Sequence, residues 1–364
     1  MKWNELEDIL VEKAMTKKIP LIGIFELTAR CNLHCKMCYL NRSLNDQYAL
    51  SHELSAEQWI RIATEARDAG LLYLTLTGGE VLSRPDFAVI YRELSRMGFH
   101  LTVFTNGTLV SPKIIELFTQ YPPSKVSITL YGASEETYSR VTGNGKAFQQ
   151  TLNGIDALLE AGITVELKTT IIKGNVDDFD NIDRLADNRG LQLLVGTYIT
   201  PRREQGLSDP FANRLTPKEK ALFEQHLHEV LSEKNKNTNE YAIDPDSGIL
   251  EDMPGSDNKK AFHCLAGKCI FWLTWDGRLI PCGDLSVPAE FPLKSGFVPA
   301  WEKMIRQVSQ IPACMECESC SDRKLCKICP AKRLQETGDV LRKAPYFCEY
   351  VLEKHKLYDM AVIH

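Results

Sequence analysis

The segment "ARCNLHCKMCYL" places Cys31, Cys35 and Cys38 four and three positions apart, with Tyr39 directly after the last. Disulfides use thiols in even numbers, and a structural zinc site ordinarily takes four ligands, so a set of three leaves a coordination position for something else. The other nine cysteines are Cys264, Cys269, Cys282, Cys314, Cys317, Cys320, Cys326, Cys329 and Cys348, and the 225 residues between Cys38 and Cys264 hold none. That gap suggests two units with separate metal chemistry. The first residues, "MKWNELEDILVEKAMTKKIP", mix acids and bases and offer no apolar signal run. Apolar stretches such as "LIGIF" and "LQLLVG" are strand-length, too short to span a membrane. A cytoplasmic location is therefore expected. Thiols stay reduced there, so twelve cysteines read as metal ligands or catalytic groups before they read as disulfides. Thiolates alone do not separate zinc from iron–sulfur, which leaves a zinc-binding interaction protein open.

The elements that must position these thiols follow an alternating pattern. The chain has 364 residues, 44% hydrophobic and 25% charged, with a net charge of -5 that offers no basic footprint for nucleic acid. "LIGIFELTAR", "LLYLTLTGGE", "HLTVFTNGT", "KVSITLYG", "TVELKTTII" and "LQLLVGTYITP" read as six strands. Helical segments lie between them, including one that Ser55 caps and Gly70 closes, and one with Pro85 in its first turn. Six such alternations with near-continuous apolar strands predict an α/β protein with a parallel sheet covered by helices, either doubly wound or a partial (β/α)6 barrel. A helix begins at Thr216 and Pro217, a turn-rich linker covers 234–260, and "WDGRLIPC" reads as a hairpin turning at Asp276 and Gly277. In a barrel, chemistry sits in the loops after the strands, and four of them carry "CNLHCKMC", "TGGE", "TNGT" and "TLYGAS".

The C-x3-C-x2-C spacing followed by an aromatic resembles the signature of the radical S-adenosylmethionine (SAM) enzymes. The resemblance implies a partial TIM-type barrel and a [4Fe–4S] cluster on Cys31, Cys35 and Cys38. The fourth iron is left for the amino and carboxylate groups of SAM, whose cleavage yields a 5′-deoxyadenosyl radical. It also implies cofactor-binding roles for Tyr39, for Gly78, Gly79 and Glu80 as the family's GGE motif, for Asn106, for Thr129 near the ribose and for Arg140 near the SAM carboxylate. Val81 stands where a proline often follows the motif.

The late cysteines resemble the SPASM module, which carries two auxiliary [4Fe–4S] clusters. By that resemblance Cys264, Cys269, Cys282 and Cys329 would hold one cluster and Cys317, Cys320, Cys326 and Cys348 the other, with Cys314 spare. If Cys269 does not ligate, the first of these has an open iron. The implied organisation is an extension (1–20), a barrel (21–210), a helix and linker (211–260), the cluster module (261–355) and a tail (356–364). The resemblance implies an enzyme that modifies a ribosomally made peptide or a protein by crosslinking or oxidation. It would be served by a reductant such as flavodoxin or ferredoxin, and by a separate precursor-binding protein if its short extension cannot bind the peptide. Arg202 and Arg203, after the sixth strand, could hold acidic residues of such a peptide. A small-metabolite enzyme, such as a porphyrin-pathway decarboxylase, is the alternative. A sulfatase maturase fits less well, because Gly283 follows Cys282 and Asp284 comes one place late, on the other face of an extended strand.

Overall fold

The computed structural model describes residues 3–203, 209–235, 262, 264–326 and 328–362. Six strands form in the expected order: β1 (Ile22–Thr28), β2 (Tyr73–Gly78), β3 (His100–Thr105), β4 (Lys125–Thr129), β5 (Val165–Thr170) and β6 (Leu193–Gly196). The helices that alternate with them are α2 (Ala56–Asp68), α3 (Phe87–Arg96), α4 (Pro112–Gln120), α5 (Glu135–Thr142), α6 (Ala147–Glu160) and α7 (Phe179–Asp187), after an initial α1 (Trp3–Lys17). Ser55 caps α2 through a reciprocal capping box with Gln58, which satisfies two amide donors that the first turn leaves free. Pro85 sits just before α3 rather than inside its first turn, because Asp86 takes the N-cap position.

The strands are not near-continuous apolar runs, and that difference decides between the two architectures. In-register neighbours of a parallel sheet share a face. Leu74, Leu76, Leu101, Val103, Val126, Ile128 and Leu167 point outward into the main core against the helices. Their alternates, including Glu26, Thr75, Thr102, Ser127, Thr129, Glu166 and Lys168, form the opposite face. A doubly wound sheet would bury that second face under apolar helices, whereas a polar face is the lumen of a partial barrel.

The sheet also gains two strands from the cysteine-rich region. β7 (Ile270–Leu273) pairs parallel with β1, and β8 (Leu279–Ile280) pairs antiparallel with β7 through the expected turn, where Gly277 has a φ of +85°. The eight strands of this sheet run β8-β7-β1-β2-β3-β4-β5-β6, so strands from the two cysteine-bearing regions share one sheet. α8 (Pro217–Asn235) begins at Pro217 as expected, and its Phe223 packs on Phe179 of α7. After α9 (Phe297–Ser309), α10 (Pro330–Thr337) and α11 (Pro345–Val362) complete the C-terminal region. There Lys354 and Tyr350 of α11 meet Glu224 of α8. Most of the expected linker lies outside the described residues.

Candidate active site

The three-cysteine loop leaves the end of β1 and is clamped from two sides. The Gly79 and Glu80 amides donate to the Thr28 and Arg30 carbonyls at 2.7 and 2.8 Å. A Cβ on Gly78 would stand 2.3 Å from the Thr28 oxygen, and one on Gly79 2.2 Å from the Arg30 oxygen. The glycine pair is thus required for the β2 turn to lie directly on the backbone that leads into Cys31. On the other side, the His34 and Lys36 amides donate to the Thr142 and Val141 carbonyls at 3.0 and 2.9 Å. Those carbonyls belong to the last turn of α5, where intrahelical partners run out.

Within this clamp Cys35 is buried, Cys31 and Cys38 are half-buried, and Cys35 feels the charge of both. The Leu33 amide donates to Cys31 Sγ at 3.4 Å, Asn106 Nδ2 approaches the same sulfur at 3.8 Å, and the Asn41 amide donates to Cys38 Sγ at 3.2 Å. The Tyr131 hydroxyl bonds the Cys35 thiol. Burial, then the charge of Glu80, pushes the Cys31 thiol up to about 12. Burial and the neighbouring thiols push Cys35 up as well, and burial raises Cys38. Three neighbouring thiols with N–H donors aimed at sulfur, in surroundings where free thiolates are unfavourable, fit a cationic iron–sulfur group that would compensate the thiolate charge.

The remaining expected residues divide. Asn106 lies beside Cys31, its amide also bonding Asn32 at 2.9 Å. Thr129 faces the lumen in register with Lys168. Glu80 is fully buried and already accepts from Thr105 Oγ1, the Leu82 amide and the Asn106 amide at 2.7, 3.0 and 2.8 Å, so its first role is to hold the β3 loop against the cysteines. Arg140 is partly exposed, and its guanidinium donates to the Gly174 carbonyl at 2.7 Å and to Thr137 at 3.1 Å. The Tyr39 hydroxyl donates to Glu26 at 3.1 Å and Arg203 lies over its ring at 5.0 Å, so internal contacts use both of its recognition features. Arg203 is also not available to a substrate. Its side chain is 4% exposed and paired with Glu26 at 2.8 Å, while Arg202 turns its charge toward Cys38. Burial disfavours the Arg203 charge, and Glu26, Tyr39 and Asp276 together more than offset it.

Sequence reasoning missed Glu26, Trp272, Tyr131 and Lys168. The signal for Glu26 was a lone carboxylate in the apolar run "LIGIFELTAR". For Lys168 it was a lysine in "TVELKTTII".

The late cysteines form two groups. Cys264, Cys282 and Cys329 feel one another's charge, and burial raises Cys264 and, more strongly, Cys282. Cys269 senses the charge of Cys264 and is fully buried among Ala14, Leu21 and Leu265 against α1, whereas Cys264, Cys282 and Cys329 pack against the main core. Cys317, Cys320, Cys326 and Cys348 line one cavity with Arg323 and Lys343. Cys314 is almost fully buried outside the lining of that cavity, with its thiol donating to the Leu341 carbonyl at 2.8 Å and hydrogen-bonded to the Cys317 thiol.

A barrel whose first loop gathers three thiols beneath a glycine turn defines a class. Residues 25–187 match the model of the radical SAM superfamily. Along nearly its whole length the protein is similar to the AdoMet-dependent heme synthase of Methanosarcina barkeri, 28% identical over 93% of this chain and 98% of the relative. In fold it is similar to anSMEcpe with bound AdoMet, with a TM-score of 0.71 at 17% identity over 94% of this chain and 98% of that one. It is similar also to Streptococcus suis SuiB bound to the precursor peptide SuiA, with a TM-score of 0.70 at 15% identity over 95% and 80%. No helix among the described residues is long and apolar enough to cross a membrane.

Proposed function

We propose that this radical SAM enzyme carries two auxiliary [4Fe–4S] clusters besides the SAM-binding one and oxidises a substrate held between the barrel lumen and the C-terminal cysteines. Cys31, Cys35 and Cys38 would hold the first cluster. Cys317, Cys320, Cys326 and Cys348 would hold a second, and Cys264, Cys282 and Cys329 a third with one open position. The gathering of the first three thiols under N–H donors carries the reading. When bound there, the cluster supplies the electron that cleaves SAM into methionine and the hydrogen-abstracting 5′-deoxyadenosyl radical. The chain's own groups do the rest. Leu33, Asn41 and Asn106 orient the thiolates and offset their charge. Glu80 fixes the Asn106 loop, and Thr129 and Lys168 offer a hydroxyl and a cation on the lumen wall, where the adenosyl and carboxylate ends of SAM need partners. The β7–β8 hairpin closes one flank of the lumen and limits water access to the radical.

For the substrate, the similarity to a heme synthase spans both the barrel and the late cysteines, which favours a small carboxylated metabolite of tetrapyrrole type, oxidised at a side-chain carbon. A peptide is the second reading. Among the described residues β6 pairs on one side only, which leaves an edge that an extended chain could join through main-chain hydrogen bonds. The sulfatase reading gains no support, since Gly283 packs under the Trp272 ring and offers no base next to Cys282. We place the enzyme in the cytoplasm with a low-potential flavodoxin- or ferredoxin-type reductant. After anaerobic reconstitution, about twelve irons per chain are expected, and replacing Cys31, Cys35 and Cys38 by Ala should remove about four and abolish 5′-deoxyadenosine formation. A triple variant that still cleaves SAM overturns the site. Stimulation of cleavage by carboxylated tetrapyrroles, with product lighter by carbon dioxide and two hydrogens for each side chain that reacts, supports the first substrate reading. Stimulation only by a peptide encoded beside the gene replaces it with the second.

A further inference from the structure

Glu26 is the one charged residue of β1, fully buried, and three distant parts of the chain converge on its carboxylate. Arg203, 177 positions away, donates to both oxygens at 2.8 and 2.9 Å. The Trp272 indole of β7, 246 positions away, donates at 3.2 Å, and the Tyr39 hydroxyl donates at 3.1 Å. Arg203 then reaches both cysteine regions. Its backbone amide donates to the Tyr39 carbonyl at 3.2 Å, one residue from Cys38, and its guanidinium to the Gly283 carbonyl at 3.3 Å, one residue from Cys282. Its ring contacts are Tyr39 at 5.0 Å and Trp272 at 5.8 Å.

We propose that Glu26 and Arg203 register the C-terminal cysteine region on the barrel and so fix how Cys282 stands relative to Cys38. They act as positioning residues and do not touch substrate. The need for such a device follows from the strand pairing. β7 meets β1 through Ile22–Phe25 against Ile270–Leu273. A slip of one residue would turn apolar side chains to the wrong face, but a slip of two would preserve every face and cost the apolar packing little. The Trp272–Glu26 bond and the Arg203–Gly283 bond are both lost on such a slip. A buried polar group used to select one register, rather than to add stability, is a known use of such pairs. Gly283 fits the same role, since a Cβ there would press on the Trp272 ring at 3.0 Å and push its carbonyl away from Arg203.

The inference rests on the reading that both cysteine groups carry clusters, but part of its test does not. In the full-length protein, the paired Glu26→Leu and Arg203→Leu variant removes both charges together and leaves no lone buried ion. Glu26→Gln and Arg203→Lys serve as milder changes that keep volume. Hydrogen exchange of the amides at 270–273, followed in metal-free and reconstituted protein, should accelerate at least tenfold in the paired variant and less in Arg203→Lys. In reconstituted protein at unchanged iron content, the magnetic interaction between the reduced clusters should weaken or spread over several distances by pulsed electron paramagnetic resonance. Wild-type exchange and a single wild-type distance in the paired variant overturn the proposal. A wild-type protein that binds only about four irons overturns the auxiliary-cluster reading instead, and the exchange measurement still decides the clasp.

Discussion

Asn106 is the side chain through which the β3 loop touches the cysteines. One amide hydrogen-bonds Asn32 and approaches Cys31 Sγ, while the side-chain oxygen accepts from the amide and hydroxyl of Thr108 at 2.9 and 2.6 Å. Hydrogen bonds to ligating sulfurs stabilise the reduced, more negative cluster and so raise its potential. Asn106→Asp keeps the shape and removes the donor. It should retain full iron content while shifting the midpoint of the Cys31, Cys35 and Cys38 cluster to more negative potential in a redox titration. Asn106→Ala should do the same and also lose about 1 kcal/mol of stability for each broken side-chain bond. An unchanged midpoint in the Asp variant would show that the 3.8 Å approach carries no electrostatic weight. The adjacent Gly78 and Gly79 teach a related lesson. What fills the space of their missing side chains is the backbone at Thr28 and Arg30, so their requirement stands without any ligand.

At the scale of elements, the β7–β8 hairpin and the short helices after α9 separate thiols that the sequence left equivalent. Cys269 directly precedes β7 and packs under α1, and Cys314 hydrogen-bonds the Leu341 carbonyl and Cys317 from outside the lining of the shared cavity. Iron analysis of reconstituted variants should therefore fall into two classes. Cys314→Ala and Cys269→Ala keep the wild-type content, and Cys314→Ala loses about 1 kcal/mol because its buried hydrogen bond to the Leu341 carbonyl disappears. Cys320→Ala loses about four irons together with part of the folded C-terminal region, since metal binding and folding are coupled in small metal domains. Iron loss on Cys269→Ala would close the open coordination position and return the four-ligand assignment expected from the spacing.

At the scale of the whole molecule, the buried thiols tie stability to pH and to metal. The Cys31 thiol is raised from 9.0 to about 12 in the fold. Between those values the unfolded chain has released a proton that the metal-free folded chain keeps, so the folded form binds more protons and stability falls as pH rises. The contribution is fully present below pH 9, and the loss is about 1.4 kcal/mol per pH unit for one such thiol within the window. Once a cluster is bound the thiols are already thiolates, so the loaded protein lacks this dependence. Denaturant titrations at about pH 8 and about pH 10 should show metal-free protein losing stability and loaded protein holding it. Equal slopes in the two forms would mean that the thiols are not buried as protonated groups.

The sequence by itself determined the three-thiol site, the order of six strands and their helices, the capping of α2 and the hairpin at Gly277. These are local signals, written in spacings of a few residues that survive without knowledge of the fold. It also supplied the resemblance that made radical chemistry the leading expectation. Only the tertiary structure decided which face of the strands is lumen, because burial patterns such as that of Lys168 depend on what the opposite wall offers. It alone decided that Arg203 belongs to Glu26 and that Cys269 packs on α1. The reason is pairing across large separations. β7 finds β1 nearly 250 positions back along the chain. No spacing in the sequence records a contact that exists only once the sheet has assembled.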